Sequence, residues 1–279
     1  MFKPIALAID FKKFTHSILE TGLFLRKNLY SKSEVVLFHA VEYFLTPPHY
    51  LVSYFKKEEA QLEIKLSELS QMFEKENISV KNKVIWGNFW EVLKSFTKNL
   101  NPYLIILGYQ PYRFKIPTAE KMLERLEYNF LVVKDQPLQR VEKILCCIDF
   151  SEKSLNCLKM AIFWNEKLKA ELKILNVIPK IKVKDRKVRE EILKKEKSER
   201  ERLWENLVNS LEKSEKINDF DFEIAYGDRL KEILENVRLN SPDLLIVGKT
   251  GKNIKSGLGS ITKELLKKTQ IPVLIVENF

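Results

Sequence analysis

The chain has 279 residues, of which 45% are hydrophobic and 31% are charged, and it holds only eight glycines and ten prolines. This composition excludes a collagen-like, low-complexity or disordered chain and is typical of a globular protein of about two domains. The 48 Lys and Arg against 38 Asp and Glu give a net charge of +10. Such a charge attracts anions but does not choose among nucleic acid, a membrane surface and a nucleotide.

The N-terminal residues, the longest apolar stretches and the cysteines indicate where the protein is located. Residues 1–14 contain a short apolar run that Asp10 interrupts, which indicates a first strand and not a signal peptide. No apolar stretch reaches the ~18 residues of a membrane span. The three cysteines, Cys146, Cys147 and Cys157, cannot form a disulfide framework. We therefore expect a cytoplasmic protein that does not enter a membrane.

Apolar runs recur in one order in both halves of the chain and predict ten strands. The first five are residues 5–10, 35–41, 80–87, 103–108 and 130–135, and the second five are residues 144–149, 172–178, 222–227, 244–248 and 273–278. The residues that end corresponding runs recur 139 or 140 positions apart, namely Asp10 and Asp149, Gly87 and Gly227, and Gly108 and Gly248. This agreement indicates a tandem duplication, with domains at residues 1–138 and 139–279.

Segments with apolar residues at helical spacing lie between the runs, for example residues 154–168, 229–238 and 260–269. Ser151 or Ser154, Asp228 and Ser260 are the side chains expected to cap these three helices. Strands rich in Val, Ile and Leu that alternate with amphipathic helices predict an α/β fold. Each half is expected to form a doubly wound parallel sheet of five strands.

The segment of residues 183–214 has an apolar stripe in its C-terminal part, formed by Leu203, Trp204, Leu207, Val208 and Leu211. Lys and Glu interleave through residues 180–202, which favours a solvated helix face over a nucleic-acid surface. Nucleic acid is therefore not an expected partner.

A ligand crevice is expected at the carboxyl ends of the strands, where the sheet order changes direction. In the second half these ends are Asp149 and Gly248. Residues 248–260 hold four of the eight glycines and three lysines and run directly into a predicted helix. Glycines allow a phosphate to approach the backbone, and a helix N-terminus offers free amides. Residues 108–122 of the first half contain one glycine, two prolines and aromatic residues, so the halves are not expected to share one activity.

Other chemistries find little support. The Gly248-Lys249-Thr250 triplet lacks the upstream glycine of a Walker A loop, and no dinucleotide fingerprint is present. His16, His39 and His49 lack neighbours at metal-ligand spacing, so no metal site is predicted. No nucleophile with a partnered base is evident, so no catalytic residue is assigned. Asp149 also has a purely structural interpretation as a helix cap.

The sequence CCIDFSEKS at residues 146–154, LNV at residues 175–177 and the glycine loop that runs into IPVLIVEN resemble an ATP-binding domain of the universal stress protein family. The first half then resembles a degenerate copy. The resemblance implies an adenine nucleotide alpha hydrolase-like fold with the strand order 3-2-1-4-5. The loop departs from the family pattern, since residues 252–258 are seven where the family has nine, and this puts the position of the terminal phosphates in doubt.

The resemblance implies a binding site for ATP, ADP or AMP in the second domain, with Mg²⁺ or Mn²⁺ carried by the phosphates. By position, its residues are Cys147, Ile148, Asp149, Val177, Val247, Gly248, Thr250, Gly251, Gly259, Ser260 and Ile261. The implied function is stress-response regulation without efficient turnover, at most with slow ATP hydrolysis, in a homodimer or by pairing of the two domains. The alternatives are a ligand-free scaffold dimer, an enzyme of the related adenine-handling α/β group, and nucleic-acid binding.

Overall fold

The computed structural model of the chain describes residues 3–42, 52–111, 118–211, 220–251 and 257–279. By its internal contacts the chain divides into two compact units. Unit 1 comprises residues 1–140 and 270–274, and unit 2 comprises residues 141–269 and 275–279.

The first unit alternates strands and helices. Its elements are β1 (Ile5–Ala8), α1 (Thr15–Asn28), β2 (Val35–Glu42), α2 (Val52–Glu74), β3 (Val80–Gly87), α3 (Phe89–Leu100), β4 (Leu104–Gly108), α4 (Thr118–Arg125) and β5 (Asn129–Val133). The strands run in the order β3-β2-β1-β4-β5, and all neighbouring pairs are parallel. This arrangement places the reversal of strand order between β1 and β4.

The second half of the chain repeats the pattern. Its elements are β6 (Lys143–Cys147), α5 (Glu152–Leu168), β7 (Glu171–Pro179), α6 (Arg186–Leu211), β8 (Asp221–Gly227), α7 (Arg229–Asn240), β9 (Leu244–Gly248), α8 (Ser260–Lys268) and β10 (Val273–Val276). The order β10-β9-β6-β7-β8 places the reversal between β6 and β9. The predicted α/β class and the 3-2-1-4-5 order are confirmed in both halves.

The core of each half consists of its central strands and the helices that cover them. Strands β4 and β9 are buried along almost their whole length, as expected for parallel strands with helices on both faces. Large side chains such as Phe73 of α2 and Trp164 of α5 are completely buried beneath these layers. Burial of each such side chain contributes about 1.5–3 kcal/mol of transfer free energy.

Strands β1 and β6 end two residues earlier than predicted, because the chain turns at the aspartate that follows each of them. Asp10 Oδ1 accepts from the amide of Lys12 at 2.9 Å, and Asp149 Oδ1 accepts from the amide of Ser151 at 3.1 Å. In each turn a phenylalanine lies between the aspartate and the residue whose amide it accepts from. These residues, Phe11 and Phe150, have a left-handed backbone with φ of 56° and 57°. The same turn is therefore built twice.

Two of the predicted helix caps are confirmed and one is wrong. Ser151 accepts from the amide of Ser154 at 3.2 Å and caps α5, and Asp228 accepts from the amide of Lys231 at 3.1 Å and caps α7. Gly259, not Ser260, is the N-cap of α8. Ser260 is the first helical residue, so its hydroxyl is not used as the cap.

Helix α6 divides as the sequence predicts, with an exposed charged N-terminal part and a packed C-terminal part. Ion pairs such as Arg186–Glu190 connect its own turns, while Trp204 stacks on Phe222 of β8 with ring centroids 4.5 Å apart. Within the ranges given above, no helix has the length and apolarity needed to cross a membrane.

Candidate functional site

A cavity of about 380 Å³ opens at the carboxyl ends of β6, β7 and β9, where the order of the second sheet reverses. This is the expected position for a ligand in an open parallel sheet, and the volume lies within the usual range for ligand sites. The structure brings all eleven predicted site residues to this cavity. They are Cys147, Ile148, Asp149, Val177, Val247, Gly248, Thr250, Gly251, Gly259, Ser260 and Ile261.

The carboxylate of Asp149 divides its two oxygens between the fold and the cavity. Oδ1 accepts from both the amide and the hydroxyl of Ser151. Oδ2 lies 3.4 Å from the position that a Cβ on Gly251 would take. Ser151 is the N-cap of α5, so the alternative of Asp149 as the cap of that helix is wrong, and the carboxylate of Asp149 lies beside the glycine loop.

The backbone immediately before this aspartate is held by a buried amide. Asn176 of β7 is 4% exposed, and its Nδ2 donates to the carbonyl oxygen of Ile148 at 2.9 Å. The amide of Ile148 donates to the carbonyl of Leu175 at 3.0 Å. These two bonds fix the direction in which the chain leaves β6, and therefore the placement of Asp149.

The start of α8 closes the other side of the cavity. The amide of Gly259 donates to the carbonyl of Lys249 at 2.8 Å, and the hydroxyl of Thr262 donates to the carbonyl of Gly248, also at 2.8 Å. A Cβ on Gly259 would lie 3.2 Å from the carbonyl oxygen of Lys249, so glycine allows this close approach. Because Gly259 is the N-cap of α8, the cap residue itself offers no side-chain oxygen to the amides of the first turn.

A buried hydroxyl at the same place has no partner among the described residues. Thr250 is 4% exposed and lines the cavity, and its Oγ1 makes no hydrogen bond within the ranges that the structure describes. Leaving such a group unsatisfied costs about 1–3 kcal/mol. A ligand with a polar atom at this wall would remove that cost.

Comparison with known proteins agrees with this architecture. The model of the universal stress protein family matches residues 140–277. The chain belongs to the universal stress protein family. No curated protein sequence matches it.

Solved structures of similar fold extend over one or both halves. A universal stress protein from Archaeoglobus fulgidus is 17% identical with a TM-score of 0.71, covering 99% of this chain and 98% of that one, which shows that both halves of the chain have the family fold. The hypothetical protein MJ0577 is 31% identical with a TM-score of 0.41, covering 49% of this chain and 95% of that one. A universal stress protein in complex with cAMP is 20% identical with a TM-score of 0.40, covering 50% of this chain and 99% of that one.

The structure adds residues to the cavity of this universal stress protein that the sequence analysis missed. These are Ser154, Leu175, Arg229, Ile233, Thr262 and Leu265. Arg229 is the most informative, since it is exposed and begins α7 directly after the N-cap Asp228. Arg229 follows the third strand of the second half, at the carboxyl edge of the sheet where ligands bind. This position in the sequence could have identified it as a candidate site residue. Lys252 and Lys255, two of the three lysines of residues 248–260, lie outside the described residues.

The cysteines of the second half, of which Cys146 and Cys157 are buried and Cys147 is half-buried at the cavity, lack the features of a reactive site. Burial raises the pKa of Cys147 to about 12 and raises the pKa of Cys146 and Cys157 well above the usual value. The thiolate is the reactive form of cysteine, so these groups are poor nucleophiles. In the part of the chain that the structure describes, no group of three or more His, Cys, Asp or Glu residues could hold a metal ion.

Proposed function

We propose that the second unit binds an adenine nucleotide, ATP, ADP or AMP, and that occupancy of this site regulates the protein in a stress response without efficient turnover. The observation that carries the proposal is the convergence of an aspartate beyond a strand end, a glycine loop and a helix start with a glycine N-cap on one cavity. A nucleotide has a flat base at one end and anionic phosphates at the other. One wall of the cavity is apolar and suits the base, and the opposite wall suits the phosphates.

The apolar wall suits the base and the sugar. Ile148, Val177, Val247 and Ile233 line it, and each is at most 8% exposed. Flat heteroaromatic groups bind well between such side chains, with a few polar groups fixing their orientation. The Asp149 carboxylate supplies an acceptor for an amino or hydroxyl group of the nucleotide.

The opposite wall suits the phosphates. The first turn of α8 has no acidic residue and its N-cap is Gly259, so its amides and the positive end of the helix dipole face no competing carboxylate of that turn. The hydroxyls of Thr250 and Ser260 lie at the same wall, and Arg229 lines the cavity with a positive charge. The unpartnered Oγ1 of Thr250 fits this role, since a phosphate or sugar oxygen would satisfy it.

A bound nucleotide would supply the phosphate oxygens that Mg²⁺ or Mn²⁺ prefers. The described part of the cavity offers one carboxylate, Asp149, so most ligands of such a cation would come from the nucleotide and water. In this proposal the protein positions the nucleotide, and occupancy changes the glycine loop and through it a partner or dimer surface. The proposal includes a cytoplasmic location, because the three cysteines are free thiols.

Isothermal titration calorimetry with ATP, ADP and AMP tests the site. Gly251→Val, which places a side chain beside Asp149, and Ser260→Ala, which removes a hydroxyl at the helix start, are expected to weaken binding about tenfold or more, equal to about 1.4 kcal/mol. Ser210→Ala, an exposed serine of α6, is the matched control and should leave affinity unchanged. Undiminished ATP affinity in both site variants would remove the proposed site.

Mass spectrometry of the small molecules released on unfolding separates this function from the scaffold alternative. A released adenine nucleotide supports the proposal. If none is released and ATP fails to bind at millimolar concentration, the second unit is a ligand-free scaffold. Sedimentation with and without ATP then measures whether the protein dimerises.

A further inference from the structure

The first unit contains its own cavity at the carboxyl ends of β1, β2 and β4. Its volume is about 420 Å³, close to that of the cavity in the second unit. Its lining includes Asp10, Phe14, Phe38, His39, Phe89 and Gln110. No role has been assigned to this cavity by the proposed function.

The two cavities are built on the same backbone plan. His39 Nδ1 lies 2.6 Å from the carbonyl oxygen of Ile9, at the place where Asn176 bonds the residue before Asp149. Phe89 begins α3 directly after the N-cap Asn88, as Arg229 begins α7 after its own cap. Differences between the side chains that line the two cavities therefore indicate which ligand each cavity is suited to bind.

The first difference is aromatic character. Three phenylalanines, Phe14, Phe38 and Phe89, line the first cavity, whereas none of the described residues that line the second is aromatic. Aromatic walls favour stacking and edge contacts with flat rings, worth about 0.5–1.5 kcal/mol per pair beyond buried area. The first cavity is therefore suited to a planar ring system.

The second difference concerns the space beside the fourth strand. The Phe14 side chain packs so closely on Gly108 that a Cβ there would overlap it. At Gly248 the nearest atoms to such a Cβ are the carbonyl oxygen of Thr250, at 3.2 Å, and Cys157 Sγ, at 3.5 Å. The ring of Phe14 thus covers Gly108. The corresponding glycine of the second unit, Gly248, borders the proposed phosphate wall.

The third difference is charge. Phe89 stands where the second unit has Arg229, and Glu120 lies in the first turn of α4, whereas the first turn of α8 has no acidic residue. A carboxylate at a helix N-terminus takes up the positive end of the dipole that would otherwise attract an anion. Both changes disfavour a phosphate in the first cavity. The cation among its described lining residues is Lys12, an exposed side chain whose charge is screened by water and salt.

Three polar groups of the cavity, on His39, Asp10 and Gln110, offer acceptors to a ligand that donates hydrogen bonds, beside the donor Lys12 and the hydroxyl of Thr118. A carbonyl oxygen can only accept, so Nδ1 of His39 carries a proton toward Ile9 and, in the neutral ring, Nε2 is an acceptor. Asp10 adds a carboxylate, and Gln110 adds an amide. A ring that bears amino or hydroxyl groups matches this set.

We propose that the first unit binds an uncharged, flat heteroaromatic molecule of nucleobase or nucleoside size through this aromatic cavity. The inference does not depend on nucleotide binding in the second unit, because it stands on the walls of a separate cavity. It gives the degenerate repeat a binding role distinct from that of its partner repeat.

The test uses the full chain with Gly251→Val, so that the proposed site of the second unit is blocked. Adenosine, indole and AMP are titrated by calorimetry and by saturation-transfer NMR. We expect adenosine or indole to bind, with AMP about tenfold weaker than adenosine or not detected. Adenosine binding assigns the cavity to nucleosides, and binding of indole alone assigns it to simple bicyclic rings.

Two further substitutions in this background locate the binding. Ala40→Leu fills the cavity. Phe89→Arg introduces the residue type that the second unit has at the equivalent position, Arg229. Each substitution should weaken binding of the probe about tenfold. Ala60→Leu, an exposed position of α2, is the control, and circular dichroism reports folding of each variant. The proposal is overturned if neither adenosine nor indole binds, if AMP binds as tightly as adenosine, or if binding survives both cavity substitutions.

Discussion

Asn176 holds the carbonyl oxygen of Ile148 with a 2.9 Å hydrogen bond, one residue before the aspartate that borders the nucleotide-sized cavity. The bond ties the end of β6 to β7 at the point where the chain leaves the sheet. Since Asn176 is buried, water cannot replace the amide if it is lost. The bond thus connects the stability of the fold to the geometry of the site.

Asn176→Leu is therefore expected to destabilise the protein by about 1–3 kcal/mol, because it leaves the Ile148 carbonyl unsatisfied in the interior. It should also weaken ATP binding, since Asp149 loses its fixed position. Denaturant unfolding and calorimetry measure the two effects. Asn176→His, which introduces the residue used at the equivalent place in the first unit, should retain more of both properties. Equal losses of stability and of ATP affinity in the two variants would show that the hydrogen bond to the Ile148 carbonyl does not cause these losses.

Thr250→Val should change stability and affinity in opposite directions. The substitution keeps the shape of the side chain and removes a buried hydroxyl that has no partner in the described structure. The ligand-free protein should thus gain up to about 1 kcal/mol in unfolding free energy. ATP affinity should fall about tenfold if this hydroxyl meets the nucleotide. Thr250→Ser retains the hydroxyl and should keep most of the affinity, and a Val variant that binds ATP normally would contradict the assigned contact.

Arg229→Ala is expected to weaken ATP binding more than adenosine binding in the second unit, because a guanidinium interacts with phosphates and not with the neutral nucleoside. The difference should shrink at high salt, since Arg229 is exposed and its charge is screened. Lys231→Ala, an exposed residue on the same helix, is the matched control. Calorimetry at two salt concentrations gives both comparisons, and an equal loss for ATP and adenosine would speak against a phosphate contact.

The buried Lys134 makes the stability of the first unit depend on pH. The side chain follows β5, is 7% exposed, and lies over the ring of Tyr109 at 4.9 Å. Burial lowers the pKa of Lys134 from 10.5 to about 8, opposed in part by the charge of Asp135. Below pH 8 the amine is charged in both the folded and unfolded chain, and the folded state bears the cost of a buried charge, about 3 kcal/mol at most.

Between pH 8 and pH 10.5 the unfolded chain binds more protons at this lysine than the folded chain, so stability rises with pH. Relative to Lys134→Met, the wild-type protein should gain about 2 kcal/mol from pH 8 to pH 10, measured by denaturant unfolding. Tyr103, whose pKa burial raises to about 12, is present in both proteins and cancels. Lys56→Met, an exposed control, should show no such trend. A gap that stays constant across this range would contradict a lowered pKa for Lys134.

The architecture could be predicted from the sequence because its signals are local. Runs of Val, Ile and Leu mark strands buried on both faces, Gly248 marks the end of β9, and Asp149 marks the turn that follows β6. The predicted residues at and just after the strand ends reach one cavity because parallel strands deliver their carboxyl ends to the same edge. Gly251, Gly259, Ser260 and Ile261 lie in the loop and at the start of α8, and their prediction came from the resemblance to the family.

What the sequence analysis missed depends on how elements pack against each other. Ile233 enters the cavity because α7 turns one face toward the sheet, and Phe14 covers Gly108 because α1 starts two positions further from its aspartate than α5 does. Neither relationship follows from periodicity. The strand ends at Ala8 and Cys147 were also missed, since apolar character continues through Ile9 and Ile148 while the backbone already leaves the sheet.

The left-handed turn at Phe11 and Phe150 recurs with nearly the same φ in two units whose cavity walls differ. A bulky residue in that conformation costs about 1 kcal/mol or more, so chance would not be expected to keep it twice. The two units thus share a main-chain turn that carries different side chains around it. If both cavities bind ligands as proposed, substituting a few wall residues of either unit should alter its selectivity, with the peptide framework left untouched.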